Sequence, residues 1–135
     1  MPPILVDTWF FVAHFNRRDP DHDSAARMWR RMDQTQMVTH DAVLAEFLTF
    51  FAEFGPTIRQ KVVRAVQNLP LLRVEVVPQD RSLFLKALAL YEERPDKGYS
   101  FADCMSMIVM RERGITEVLT NDHHFRQEGF TVVNQ

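Results

Sequence analysis

The chain has 135 residues, a formal net charge of −2, 46% hydrophobic and 25% charged residues, enough for one domain with a core of its own. Its weak acidity excludes a protein that coats nucleic acid by bulk electrostatics, and no apolar run reaches the roughly 20 residues of a membrane span. The single cysteine, Cys104, excludes an internal disulfide and a thiolate zinc cluster.

The first segment, MPPILVDTW, has no basic region ahead of its apolar stretch and meets Asp7 at once. It is therefore not read as a secretory signal, and a cytoplasmic location is expected. Pro3 to Val6 reads as a strand ending at Asp7, followed by a helix that opens with Trp9, Phe10 and Phe11. Asp21 to Gln34 carries Ala25, Met28, Trp29 and Met32 at helical spacing. Gln36 to His40 is a second strand, and Asp41 is the expected N-cap of a helix from Ala42 to Phe54. Gly55-Pro56 ends that helix, and Thr57 is the expected cap of the next one, running to Asn68. Val74 to Val77 is a third strand closed by Pro78, and Asp80 caps a helix to about Arg94. After the Pro95 to Gly98 loop, Ser100 opens a helix from Phe101 to Arg113, which Gly114 ends. Val118 to Thr120 and Thr131 to Val133 are the last two strands. Strands separated by helices imply right-handed crossovers and a mostly parallel sheet covered on both faces. The expectation is a single three-layer α/β domain spanning 1–135, with five strands. The arginine-rich groups at Arg17-Arg18, Arg30-Arg31 and Arg59 to Arg64 read as solvated helix faces.

In open α/β sheets the ligand crevice lies outside the carboxyl ends of the strands. That rule selects Asp7 after the first strand, Glu46 on the helix after the second, and Asp122 after the fourth. Asp103, in the first turn of its helix, faces the same edge. Each acid also has an ordinary structural use: Ser100 and Asp103 fit a capping box, Asp122 can cap a short turn, and Glu46 lies opposite the apolar stripe of its helix. Convergence is what favours chemistry. Carboxylates gathered without basic partners repel one another unless a cation intervenes, and hard oxygen ligands suit Mg²⁺, with Mn²⁺ as a substitute. Such an ion assists phosphodiester hydrolysis. In LTNDHHF, residues Leu119 to Phe125, adjacent side chains on a helical turn point about 100° apart, so His123 and His124 do not both face one ion. Asp122 is the expected site residue there, and the histidines its neighbours. A receiver domain would need an acidic pair after the first strand, and a dehalogenase-like phosphatase Asp-x-Asp; Asp7-Thr8-Trp9 supplies neither.

Four segments, LVDTWFFVA, THDAVLAEFLTFF, DKGYSFADCMSMIVM and VLTNDHHFRQEGFTVV, together resemble the PIN domain, specifically the VapC-like ribonuclease toxins of toxin–antitoxin pairs. The resemblance spans essentially the whole chain in the right order. It implies a metal-dependent endoribonuclease whose acidic quartet falls on Asp7, Glu46, Asp103 and Asp122. The hydroxyls expected to orient those carboxylates or bound water fall on Thr8 and Thr120. A non-catalytic RNA-binding or protein-binding module on the same fold is the alternative. The resemblance further implies an RNA substrate, a cognate antitoxin and a homodimer. The unusually apolar run Trp9, Phe10, Phe11 and Phe15 points the same way as the dimer. Val43, Leu44, Phe47, Leu48, Phe50, Phe51 and Phe54 spread over about 160° of a wheel, wider than the ~100° stripe one core demands, so part of that surface is expected to meet something besides its own sheet, and the resemblance implies an antitoxin segment lying in an apolar groove.

Overall fold

Ile4-Leu5-Val6 carries no polar side chain because neither of its faces meets water. In the computed structural model, which describes residues 2–133, β1 (Ile4–Val6) is the central strand of a sheet covered on both sides. The chain then runs through α1 (Thr8–Phe15), α2 (His22–Arg31), β2 (Met37–His40), α3 (Asp41–Phe50) and α4 (Pro56–Gln67). A 3₁₀ turn (Leu69–Leu72) leads to β3 (Val74–Val77), α5 (Arg81–Glu93) and α6 (Phe101–Arg113). β4 (Glu117–Leu119), α7 (His124–Gln127) and β5 (Thr131–Val133) complete it. All strand pairs are parallel, in the order β3-β2-β1-β4-β5.

The alternation along each strand divides the core in two. Ile4, Val6, Met37 and Leu119 face α1 to α4, where Phe10, Met28, Phe47 and Phe51 fill the layer. Leu5, Val38 and Val118 face α5 to α7, where Leu83, Leu90, Met107 and Phe125 do the same. No helix among the described residues is long and apolar enough to cross a membrane.

Several expected caps are present. Asp80 Oδ1 accepts from Leu83 N at 2.8 Å, Ser100 and Asp103 form the reciprocal capping box, and Gly114 closes α6 at φ 66°. An Asp80→Ala substitution is expected to lower stability by about 1 kcal/mol, the usual worth of such a cap, read as a reduced urea midpoint.

Other local expectations need correction. Asp41 is not the cap of α3: His40 holds that position, and Asp41 is already helical, its Oδ2 accepting from Gln79 N at 3.0 Å. The carboxylate is drawn to the loop after β3 instead of to its own helix. Thr57 likewise lies inside α4, which Gly55 at φ 92° precedes with Pro56 at the first helical position. α2 is shorter than the apolar spacing suggested, and α3 ends at Phe50 rather than Phe54. The aromatic start of α1 is largely used inside the fold: Phe10 and Phe11 are buried, Trp9 donates its indole N–H to Asp21, and Phe15 is partly buried beside an open hollow.

Candidate active site

The chain leaves β1 to build β2 and β3 on one side, then returns to build β4 and β5 on the other. The carboxyl ends of β1 and β4 therefore flank the topological switch point, where open sheets leave a crevice. Asp7 follows β1 and Thr120 follows β4 at this point, with Leu119 O accepting from Asp7 N at 3.2 Å.

Asp7 is only 8% exposed, and Thr120 donates its hydroxyl to Asp7 Oδ2 at 2.7 Å. Burial pushes its carboxyl up to about 6, against the pull of Thr120 and the Thr8 backbone, with repulsion from Asp103 and Glu46 adding to the rise. Thr120 also accepts from Asp122 N at 3.1 Å, so one hydroxyl couples the ends of the two strands. Thr8 donates to Glu46 Oε1 at 2.5 Å, which ties the exposed Glu46 on α3 to the start of α1.

Asp103 is buried at the N-terminus of α6, its Oδ2 accepting from Ser100 N at 3.1 Å. Burial, then the nearby charge of Asp122, pushes its carboxyl up, against the pull of the hydrogen bonds of Ser100 and of the His124 side chain. Asp122 Oδ1 accepts from His124 N at 2.9 Å in a tight turn. Asp103 thus performs the capping work its position suggested, whereas Asp122 lies one residue ahead of His123, the N-cap of α7, and closes the turn before that helix; the two acids are clustered as well. His124 Nδ1 lies 3.1 Å from Asp122 Oδ1 and 3.5 Å from Asp103 Oδ2.

Asp103, Asp122 and His124 make the tightest group, with one potential ligand atom from each within 4.8 Å of the others. Asp7 joins them through Thr120 and through its repulsion with Asp103. Glu46 stands at the rim, reached through Thr8. His123 is exposed, but His124 is no bystander, and sequence reasoning missed that. A further site neighbour also escaped it: Tyr99, whose buried ring meets His124 edge-on at 5.4 Å. The donor set fits a hard divalent cation. Two buried carboxylates whose protonation is favoured by burial and mutual repulsion gain most from a compensating positive charge, and no Lys or Arg of the described residues pairs with any of the four acids.

Comparison with known proteins shows the family. The family model for the PIN domain matches residues 4–130. The chain is 32% identical over 130 residues to a 23S rRNA-specific endonuclease, VapC20, of Mycobacterium tuberculosis, covering 96% of this chain and 97% of that protein. It is 25% identical over 136 residues to a VapC ribonuclease of Aquifex aeolicus, covering 96% and 95%. The crystal structure of M. tuberculosis VapC20, described as a sarcin–ricin loop cleaving toxin, superposes with a TM-score of 0.83 over 98% of this chain and 99% of that one, at 28% identity. At 16% identity, FitAcB from Neisseria gonorrhoeae shares the fold, with a TM-score of 0.68 over 97% and 96%. With residues 4–130 matched by the family model and nearly all of the chain covered by these relatives, the chain belongs to the PIN domain family, as a VapC-like member.

Proposed function

We propose that this protein is a divalent-cation-dependent endoribonuclease, the toxin of a toxin–antitoxin pair, working in the cytoplasm. One observation carries the reading: Asp7, Asp103 and Asp122 gather at the switch point, Asp7 and the Asp122 backbone tied through the Thr120 hydroxyl and Asp103 beside Asp122, while Thr8 holds Glu46 at the rim. Asp7, Asp103 and Asp122 would hold Mg²⁺ or Mn²⁺, with Glu46 completing the set from the rim. The ion would neutralise the carboxylates and stabilise charge developing on the phosphoryl oxygens. Thr120 fixes the rotamer of Asp7 by occupying one of its oxygens, so the other remains directed for use. Glu46, exposed and held by Thr8, is the group best situated to take a proton from an attacking water. Ribosomal RNA is the first substrate to try, since the 32% identical relative acts on 23S rRNA.

The test is to incubate purified protein with ribosomes and with bare ribosomal RNA, map new ends, and repeat in EDTA with Mg²⁺ or Mn²⁺ restored. Cleavage that EDTA stops and either ion restores is the expected result. Equal rates with and without EDTA would remove the metal from the proposal.

An antitoxin surface is supported where Phe15, Phe51, Phe54 and Ile58, with Arg17, Arg18 and Lys61 beside them, line a hollow of about 680 Å³ between α1 and α4. Phe50 and Phe54 are each 49% exposed, so α4 does not cover them. An amphipathic helix with spaced apolar anchors suits such a hollow. Polar substitutions at Phe50 and Phe54 should weaken co-purification with the product of the adjacent gene, and unaltered association would move the groove elsewhere. The homodimer finds support on α5, where Leu85, Leu88 and Tyr91 are about half exposed on one side. Light scattering at tens of micromolar is expected to give twice the monomer mass, and a monomer mass would contradict the dimer.

A further inference from the structure

Glu128, just beyond α7, has a side chain only 5% exposed and receives four hydrogen bonds. Arg94 donates Nε to Oε2 at 3.0 Å and Nη2 to Oε1 at 3.2 Å, and Arg111 donates Nη2 to Oε1 at 2.6 Å. Tyr99 donates its hydroxyl to Oε2 at 2.8 Å. This clamp joins the end of α5, the loop before α6, α6 itself and the turn after α7. Its other end is the Tyr99 ring, which fixes one wall of His124.

The imidazole so braced has a buried Nδ1 with no aligned hydrogen-bond partner among the described residues, and a buried polar atom in that condition needs a reason. Its neighbours supply one. The oxygens facing Nδ1 are Asp122 Oδ1 and Asp103 Oδ2, the same two that accept the backbone amides of His124 and Ser100. No hydrogen bond from a described residue reaches Asp122 Oδ2 or Asp103 Oδ1. Protein donors therefore gather on one oxygen of each acid and leave the other free, the usual arrangement of a carboxylate that binds an ion through one oxygen and is oriented through its second.

We propose that His124 is a positioning residue of the metal centre: its Nδ1–H, shared between Asp122 Oδ1 and Asp103 Oδ2, holds the two carboxylates in register so that their free oxygens face one ion. The proposal rests on the metal-dependent reading above. Tyr99 and Glu128 act behind His124, keeping the ring from rotating away. An Asn at this position presents an amide N–H near the place of Nδ1, whereas the longer Gln carries its amide near the place of Nε2. Asn should therefore substitute and Gln should not.

The experiment measures Mn²⁺ affinity from the electron paramagnetic resonance signal of the free ion, using the full chain. Wild type, His124→Ala, His124→Asn and His124→Gln are compared, with melting temperature as the check on folding. His124→Ala is expected to weaken Mn²⁺ binding by about 10- to 100-fold, the range typical for loss of a group that orients ligands. His124→Asn should recover most of that loss and His124→Gln little of it. RNA cleavage should follow the same order through kcat, with KM for RNA nearly unchanged. Wild-type affinity in His124→Ala, or Asn and Gln equally poor, would overturn the proposal. So would a nitrogen coupling to bound Mn²⁺ in wild type that vanishes in His124→Ala, since His124 would then be a direct ligand. A wild type that neither binds Mn²⁺ nor cleaves RNA would remove the metal-dependent reading itself, an outcome distinct from one that does both while indifferent to His124.

Discussion

Asp7→Asn is expected to abolish RNA cleavage and, at the same time, to stabilise the metal-free protein at neutral pH. The catalytic loss follows from removing one of the carboxylates proposed to hold the ion. It should exceed the roughly 100-fold that an orienting partner can cost. The gain in stability follows from burial. Asp7 is 8% exposed, and its carboxyl is pushed from 3.8 up to about 6 in the folded protein. The folded state therefore binds this proton more tightly than the unfolded chain. The stability this supplies is fully present below about pH 4 and is lost as pH rises through about 6. Above that, the buried charge costs on the order of 3 kcal/mol. Asparagine keeps the shape and an acceptor for the Thr120 hydroxyl but carries no charge. Urea unfolding in EDTA should show wild-type stability falling between pH 4 and pH 7 by more than that of Asp7→Asn. Saturating Mn²⁺ should narrow the difference, because the ion binds the charged form. Parallel pH profiles for the two proteins would contradict this electrostatic assignment.

Phe125→Ala should produce one of the largest losses of stability available in the chain, about 3–5 kcal/mol, because it empties a fully buried aromatic site. Phe125 packs between the sheet and α6 with Leu5, Val118 and Met107, and its carbonyl accepts from Glu128 N and Phe130 N at 3.2 and 3.1 Å. It is the anchor of the turn that carries Asp122 and His124. The cost should therefore appear twice: in the urea midpoint, and as weaker Mn²⁺ binding under conditions where the variant is still folded. Phe125→Leu should recover part of both. A loss below about 1 kcal/mol in Phe125→Ala would mean that the turn is held by its backbone alone.

The features legible in the sequence are those set by short-range pattern. Ile4 to Val6 and Val74 to Val77 read as strands because β-branched and aliphatic runs bounded by turn residues have few other uses. The acids could be picked out because they follow strands, and the switch-point rule needs only strand order to gather them. Ser100 and Asp103 were readable as a cap because both partners lie within one turn. What failed depends on distant contacts. Asp41 was read as a local cap, yet its carboxylate answers Gln79 from across the sheet edge. The aromatic start of α1 suggested an exposed face, but Trp29 on α2 stacks on Phe10 and Phe47 on α3 stacks on Phe11. Glu128 drew no reading from the sequence, because its partners Arg94 and Arg111 are 34 and 17 residues away. His124 was set aside on angular grounds, and the structure brings its ring beside Asp122 and Asp103. The direction of its ring is decided by the tight turn at Asp122 and the wall of Tyr99, neither of which has a signature in residue order.

The most direct measurement is anomalous diffraction from a crystal of the protein soaked in Mn²⁺. The predicted result is a strong peak at the carboxyl ends of β1 and β4, with oxygens of Asp7, Asp103 and Asp122 about 2.0–2.3 Å away, near the range of hard divalent ions, and Glu46 facing it from the rim. A peak bound by other residues, or no peak at saturating Mn²⁺ in crystals whose protein cleaves RNA in solution, would contradict the assignment of these carboxylates as the metal centre.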